Sequence, residues 1–108
     1  MWKKIEDFEG YEVSDKGEIR NSEGLILSQR LNRNGYPRVI LMNNKGEHKT
    51  VEIHRVVAQA FLGDIYKKQV HHKNGDPTDN NVMNLQIVSK REHRLLHREM
   101  EEVYMYYI

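Results

Sequence analysis

Four of the chain's six histidines fall between Val70 and His97, in the run VHHKNGDPTDNNVMNLQIVSKREHRLLH, and their placement constrains the local fold more than any other feature. The adjacent pair His71-His72 follows Val70 and runs into Lys73-Asn74-Gly75, where Asn-Gly signals a turn with positive φ angles. The pair therefore ends a short strand. In extended backbone successive side chains point to opposite faces, so the two imidazoles do not readily share one ion. One can bind a metal while the other faces a substrate. Asn84-Leu85-Gln86-Ile87-Val88 reads as a second strand, with Leu85 and Ile87 on one side and Gln86 on the other. The two strands make a hairpin with a long connecting loop. Ser89-Lys90-Arg91-Glu92 then fits the capping box, in which the hydroxyl and the carboxylate each satisfy an orphan backbone donor, and this predicts a helix from Lys90. Within it His93 and His97 stand four residues apart on one face, about one turn (~5.4 Å) from each other, the spacing two imidazoles need to share a small cation. Leu96 and Met100 flank that face and would seat it against the hairpin.

One strand histidine and one or two helix histidines around a metal leave coordination positions open, which suits catalysis better than a closed structural site. One divalent ion, Mg2+, Mn2+, Ni2+ or Zn2+, held this way can polarise a phosphate, while His72, with an unperturbed pKa of ~6.5, takes a proton from the attacking water. Asn84 is placed where its amide accepts from His72 or bonds the facing backbone, orienting the base. In these residues the stretch resembles the His-Asn-His (HNH) nuclease motif of the ββα-metal family: His72 stands twelve residues before Asn84, His93 nine after it and His97 four beyond that. The resemblance implies that His71 and His93 are metal ligands, His97 a third, His72 the general base and Asn84 the residue that holds His72. Relatives among homing endonucleases often carry Asp or Asn at the ligand positions, where this chain has histidines. Two other readings of the quartet are a metal-stabilised module that binds nucleic acid without cutting it and a nuclease that acts on RNA or on any nucleic acid. Asp76-Pro77 and Asp79-Asn80-Asn81 read as loop formers.

With 108 residues the chain is long enough for one modest core or two very small ones. It has no cysteine, which excludes disulfides and thiolate zinc ribbons and fits a reducing cytoplasm, that of the host if the chain is phage-encoded. No apolar run approaches the ~20 residues of a membrane span and no basic-then-apolar leader opens the chain, so the expectation is a soluble protein with no membrane partner. The formal charge of +1 conceals a segregation: residues 28–98 carry thirteen basic and six acidic side chains, whereas residues 1–27 carry four and seven. A basic middle between acidic ends attracts a polyanion.

Trp2, Ile5 and Phe8 recur every third residue, as in a short helical turn or an arm anchored by aromatics. Gly10 to Ser14 alternates as a strand, Asp15-Lys16-Gly17 turns, and Glu18 to Asn21 returns; Ser22-Glu23-Gly24 turns again into a third strand, Leu25 to Ser28. The text WKKIEDFEGYEVSDKGEIRN resembles the small N-terminal module that accompanies many phage and intron HNH endonucleases and is thought to help DNA recognition. Gln29 to Tyr36 is a polar connection, followed by strands at Arg38–Met42 and Lys49–Ile53 joined by Asn43-Asn44-Lys45-Gly46. Arg30, Arg33 and Arg38 cluster beside Tyr36, a combination that can contact phosphates and stack on a base. Ile53, Val56, Val57, Ala60 and Phe61 then mark an amphipathic core helix over 54–62, ended by Gly63. His54 reads as structural and Arg55 as a phosphate contact. Lys73, Lys90, Arg91 and Arg94 surround the histidines as further DNA-binding candidates. The apolar ending, Val103 to Ile108, either folds back or meets a second copy in a homodimer.

The sequence thus predicts an α+β protein: β-hairpins of a DNA-recognition module over 1–53, then an HNH unit over 54–108 with its core helix and a ββα-metal segment at 70–102, forming one compact domain. The expected function is metal-dependent cleavage of double-stranded DNA, by nicking or by cutting both strands.

Overall fold

The computed structural model describes residues 1–92. His93, Arg94, Leu96, His97, Met100 and the apolar ending, with the roles read for them above, lie outside the described residues.

One turn design builds most of the N-terminal half. At Ser14, Asn21, Asn32 and Asn43 the side-chain oxygen accepts from the backbone N–H two and four residues on, at 2.9–3.2 Å. The same residue's carbonyl accepts from the N–H of a glycine three positions later, Gly17, Gly24, Gly35 or Gly46. These glycines have φ between 81° and 89°, the left-handed residue that closes a three-residue hairpin loop at little steric cost. Asn and Ser are suited to the first position because their short polar side chains replace backbone partners in the turn.

These turns generate two three-stranded antiparallel sheets. The first is β1 (Trp2–Lys4), β2 (Tyr11–Ser14) and β3 (Ile19–Asn21), in that order. The segment opening with Trp2 is therefore a strand, not the helical turn or arm its spacing suggested. Pairing of Trp2 with Ser14 fixes it in the sheet, and the Arg20 guanidinium stacks 4.1 Å from the Trp2 ring while pairing with Glu12 at 2.9 Å. The stretch expected as a third strand, Leu25 to Ser28, makes only an isolated bridge from Ile26 to Arg20. The second sheet is β4 (Arg30–Leu31), β5 (Pro37–Met42) and β6 (His48–Glu52). The connection at Gln29 to Tyr36 thus contributes a short strand of its own, created by pairing with β5 and invisible to local pattern.

β6 passes straight into helix α1 (Ile53–Phe61), with Glu52 as an N-cap that makes no side-chain capping bond. The helix therefore begins one residue before the boundary expected at 54. Its buried residues are Ile53, His54, Val57 and Ala58, a face rotated from the apolar stripe through Val56, Ala60 and Phe61. Tertiary context explains the rotation: α1 packs against β2, β5 and β6 and also against the C-terminal hairpin, so more than one stripe is covered. That hairpin is β7 (Gln69–His72) paired antiparallel with β8 (Leu85–Val88), with a 3-10 turn at Val82–Asn84 between them. Val13, Ile19, Val39, Leu41, Ile53, Val57, Ala58, Val70 and Leu85 form one continuous core from all three sheets and the helix. The two expected regions consequently share one hydrophobic centre. Residues 90–92 are helical, and Ser89 Oγ accepts from the Glu92 N–H at 3.1 Å, half of the capping box read from the sequence.

Candidate active site

The β7–β8 register pairs His71 with Gln86 and His72 with Leu85. Alternation sends His72 to the side of Val70, toward the core, and His71 to the opposite side. Both are buried, at 9% and 7% exposure. At this burial the orientation of each ring is set by specific neighbours.

On the core side of His72 lie two further rings. Its centroid is 5.1 Å from that of His54, at the start of α1, and 5.9 Å from that of Tyr36, where the turn begun by Asn32 enters β5; Tyr36 and His54 are themselves 5.0 Å apart. Three different elements thus bring their rings into one cluster. Burial, reinforced by His72 and Arg55 nearby, lowers the pKa of His54 to about 4, so at neutral pH it is an uncharged imidazole. Its Nδ1 is buried without a hydrogen-bond partner among the described residues. His54, read from the sequence as structural, is part of the surroundings of His72. Arg55 turns away: its guanidinium binds the carbonyls of Lys68 and Ile65 at 3.2 and 3.5 Å and braces the connection from α1 to β7.

The loop from Lys73 to Asn84 is held by its own Asn and Asp side chains. Asn84 Oδ1 accepts from the Asn74 N–H at 3.1 Å, and its Nδ2 donates to Asn74 Oδ1 and to the Asp79 carbonyl, both at 2.9 Å. Of the two roles open to Asn84, the observed one is bonding to the facing backbone across the loop. Asp76 Oδ1 accepts from the hydroxyl and the N–H of Thr78, bonds that lower the Asp76 pKa. The group that touches His72 is Asn80: its Oδ1 lies 2.7 Å from His72 Nε2, and Asn80 is 5% exposed. The sequence marked Asn80 only as a loop former, because the contact depends on how the loop folds back.

The donor set proposed for a metal extends past Glu92. Among the described residues no group of three His, Cys, Asp or Glu gathers to hold an ion; His71 is the described member of the set. Arg30 and Arg38 face each other directly across β4 and β5, and Arg38 is flanked by Glu52 on β6. Arg30, Arg33, Lys73, Lys90 and Arg91 are exposed. One open groove of about 530 Å3 runs between residues 4–8, β6 and α1, and another of about 550 Å3 lies against the N-terminal sheet; neither is lined by His54, His71 or His72.

A sequence model described as HNH endonuclease matches residues 51–95, and a NUMOD4 motif matches residues 1–42. Residues 51–95 are an HNH-family domain. It holds His71, His72, Asn84, Asn80 and His54 together. The chain is 41% identical over 86 residues to the uncharacterized HNH endonuclease L245 of Acanthamoeba polyphaga mimivirus, a match covering 79% of this chain and 26% of that protein. It is 35% identical over 94 residues to DNA endonuclease I-HmuI of Bacillus phage SP01, covering 83% of this chain and 53% of the relative. The solved structure describing DNA binding and cleavage by the HNH homing endonuclease I-HmuI superposes with a TM-score of 0.80 at 32% identity, over 94% of this chain and 59% of that one. The α+β arrangement of hairpins, helix and C-terminal hairpin is thus that of an HNH homing endonuclease, and this chain spans between about a quarter and a half of the length of these curated relatives. Among the described residues no helix is long and apolar enough to cross a membrane.

Proposed function

We propose that this chain is a metal-dependent endonuclease acting on double-stranded DNA, with His72 as general base. The observation that carries the reading is a buried histidine at the end of β7 whose Nε2 is engaged by Asn80, within the stretch that matches the HNH endonuclease model. The likeness to I-HmuI, a structure of DNA binding and cleavage, supports the substrate.

With Asn80 Oδ1 as the acceptor in the 2.7 Å contact, His72 donates from Nε2 in this reading, which leaves the Nδ1 lone pair to act as the base. In the proposed reaction a water oxygen attacks phosphorus as its proton passes to Nδ1. The bond from phosphorus to the 3′ oxygen breaks and that oxygen takes a proton from solvent water, leaving a 5′ phosphate and a 3′ hydroxyl. His71 on β7, with His93 and His97 beyond Glu92, would hold one divalent ion, which supplies positive charge at the scissile phosphate and the departing oxygen. An all-imidazole set suits Zn2+ or Ni2+ better than Mg2+ or Ca2+. His54, uncharged at neutral pH, packs against His72 without adding a positive charge that would oppose its protonation. Arg30, Arg33, Arg38, Lys73, Lys90, Arg91 and Arg94 are proposed phosphate contacts. The directly opposed Arg30 and Arg38 are a mutually repelling pair in the free protein, relieved when a phosphate lies between them.

The test is incubation of supercoiled plasmid, linear duplex, single strands and RNA with Mg2+, Mn2+, Ni2+ or Zn2+. Nicked or linear DNA is expected with at least one ion, and His72→Ala should abolish it while DNA binding persists. Failure to cut any substrate with any ion would refute the enzyme and favour a non-cutting binding module. Cleavage confined to RNA would refute the assigned substrate.

A further inference from the structure

Resting on the reading of His72 as the base, we infer that Asn80 is its positioning residue and that the β2–β3 turn of the N-terminal module, through Gly17, is a built part of the active centre. The β2–β3 turn is pressed against the loop carrying Asn80. A Cβ added at Gly17 would lie 3.0 Å from both the Cβ and the carbonyl oxygen of Asn80, closer than carbon atoms normally approach. Two residues earlier, the Asp15 carbonyl accepts from the Val82 N–H at 2.8 Å, so the turn grips the loop on both sides of Asn81. The turn is in its turn fixed by Gln29, whose Nε2 donates to the Gly17 carbonyl at 2.7 Å. His72, Asn80 and Gly17 therefore form a continuous column from the base to the N-terminal sheet.

The column explains a choice of residue. Gly17, Gly24 and Gly46 occupy equivalent positions in the same kind of turn with φ of 89°, 83° and 81°. The turn geometry alone asks for glycine at each. Among the described residues, only Gly17 of these three has a neighbour within 4 Å of where a Cβ would stand, and that neighbour is Asn80. A side chain here would push Asn80 by a few tenths of an ångström and loosen its hold on Nε2. The N-terminal module, by this account, supports catalysis directly as well as whatever DNA contacts it makes.

The test uses the full chain without metal, labelled with 15N, to read the tautomer of His72 by NMR, together with cleavage assays. The parent should show one tautomer, protonated at Nε2. Asn80→Leu, which keeps the bulk and removes the acceptor, should give a mixture and slow cleavage about 10–100-fold; Asn80→Asp, which keeps an acceptor, should restore the single tautomer. Gly17→Ala should also blur the tautomer and slow cleavage on the order of tenfold, beyond any effect of Gly24→Ala or Gly46→Ala, which share the turn strain but whose added Cβ meets no described neighbour within 4 Å. A parent protonated at Nδ1 would show that Asn80 donates to His72 and would overturn the proposal. So would Asn80→Leu with an unchanged tautomer, or Gly17→Ala indistinguishable from Gly24→Ala. If Asn80→Leu does not fold, the glycine comparison alone decides. A parent that cuts no nucleic acid overturns the nuclease reading, while the spectra still judge the hydrogen bond.

Discussion

Replacing Asn84 separates what this asparagine does from what the motif suggests it does. Its side chain makes three hydrogen bonds, one accepted from the Asn74 N–H and two donated, to Asn74 Oδ1 and the Asp79 carbonyl. Net values of such bonds are about 0.5–1.5 kcal/mol each, and the exposure of Asn74 favours the lower end, so Asn84→Ala should cost about 2 kcal/mol. That is a large share of the roughly 5–15 kcal/mol that holds a small domain folded. Asn84→Asp looks conservative and is not. It keeps the acceptor but turns an oxygen toward two oxygens now 2.9 Å from Nδ2, so at pH 7 it should be at least as destabilising as Ala. Those facing oxygens raise the pKa of the introduced carboxyl. A folded pKa above the unfolded one favours folding at low pH, so the Asp variant should recover relative to Ala as pH falls from 7 toward 4. Chemical denaturation at both pH values measures this, with hydrogen exchange at the Asn74 amide reporting the loop. An Asp variant as stable as the parent at pH 7, or no gain relative to Ala on acidification, would refute the bonding scheme.

The depressed pKa of His54, about 4 against its usual 6.5, means that the unfolded chain binds the extra proton between these values. Stability should be fully present above pH 6.5 and fall by on the order of 3 kcal/mol toward pH 4; thermal melts should show a shallower decline in His54→Phe. Leu41, wholly buried in the common core, should cost about 2–5 kcal/mol when cut to Ala, measured by denaturant titration. Arg30→Gln and Arg38→Gln should each weaken duplex binding across all sequences and reduce the slope of log affinity against log salt by about one. Unchanged slopes would remove this sheet face from the interface.

The C-terminal hairpin was legible because its signals are local: Asn-Gly after the histidine pair, alternation through Leu85 and Ile87, and Ser89 three residues before Glu92. The α1 periodicity and most hairpin turns were legible for the same reason. β1 and β4 were not, since Trp2–Lys4 and Arg30–Leu31 carry no strand pattern and become strands by pairing with β2 and β5. The surroundings of His72 were legible only in part. His72 and Asn84 stand out from spacing along the chain, whereas Asn80, His54 and Tyr36 lie 8, 18 and 36 residues from His72 in sequence and reach it through the fold.

By itself the sequence determined which side chains bring chemistry: paired imidazoles at a strand end, an asparagine across the loop and basic residues around them. Those choices are local, because strand alternation and turn preference act over a few residues. Tertiary structure alone decided which amide grips His72, that His54 is uncharged beside it, and that a turn from the first twenty residues closes on the loop between β7 and β8. Such contacts arise when one core gathers segments far apart in the chain, and no short-range pattern encodes which residues will then face each other.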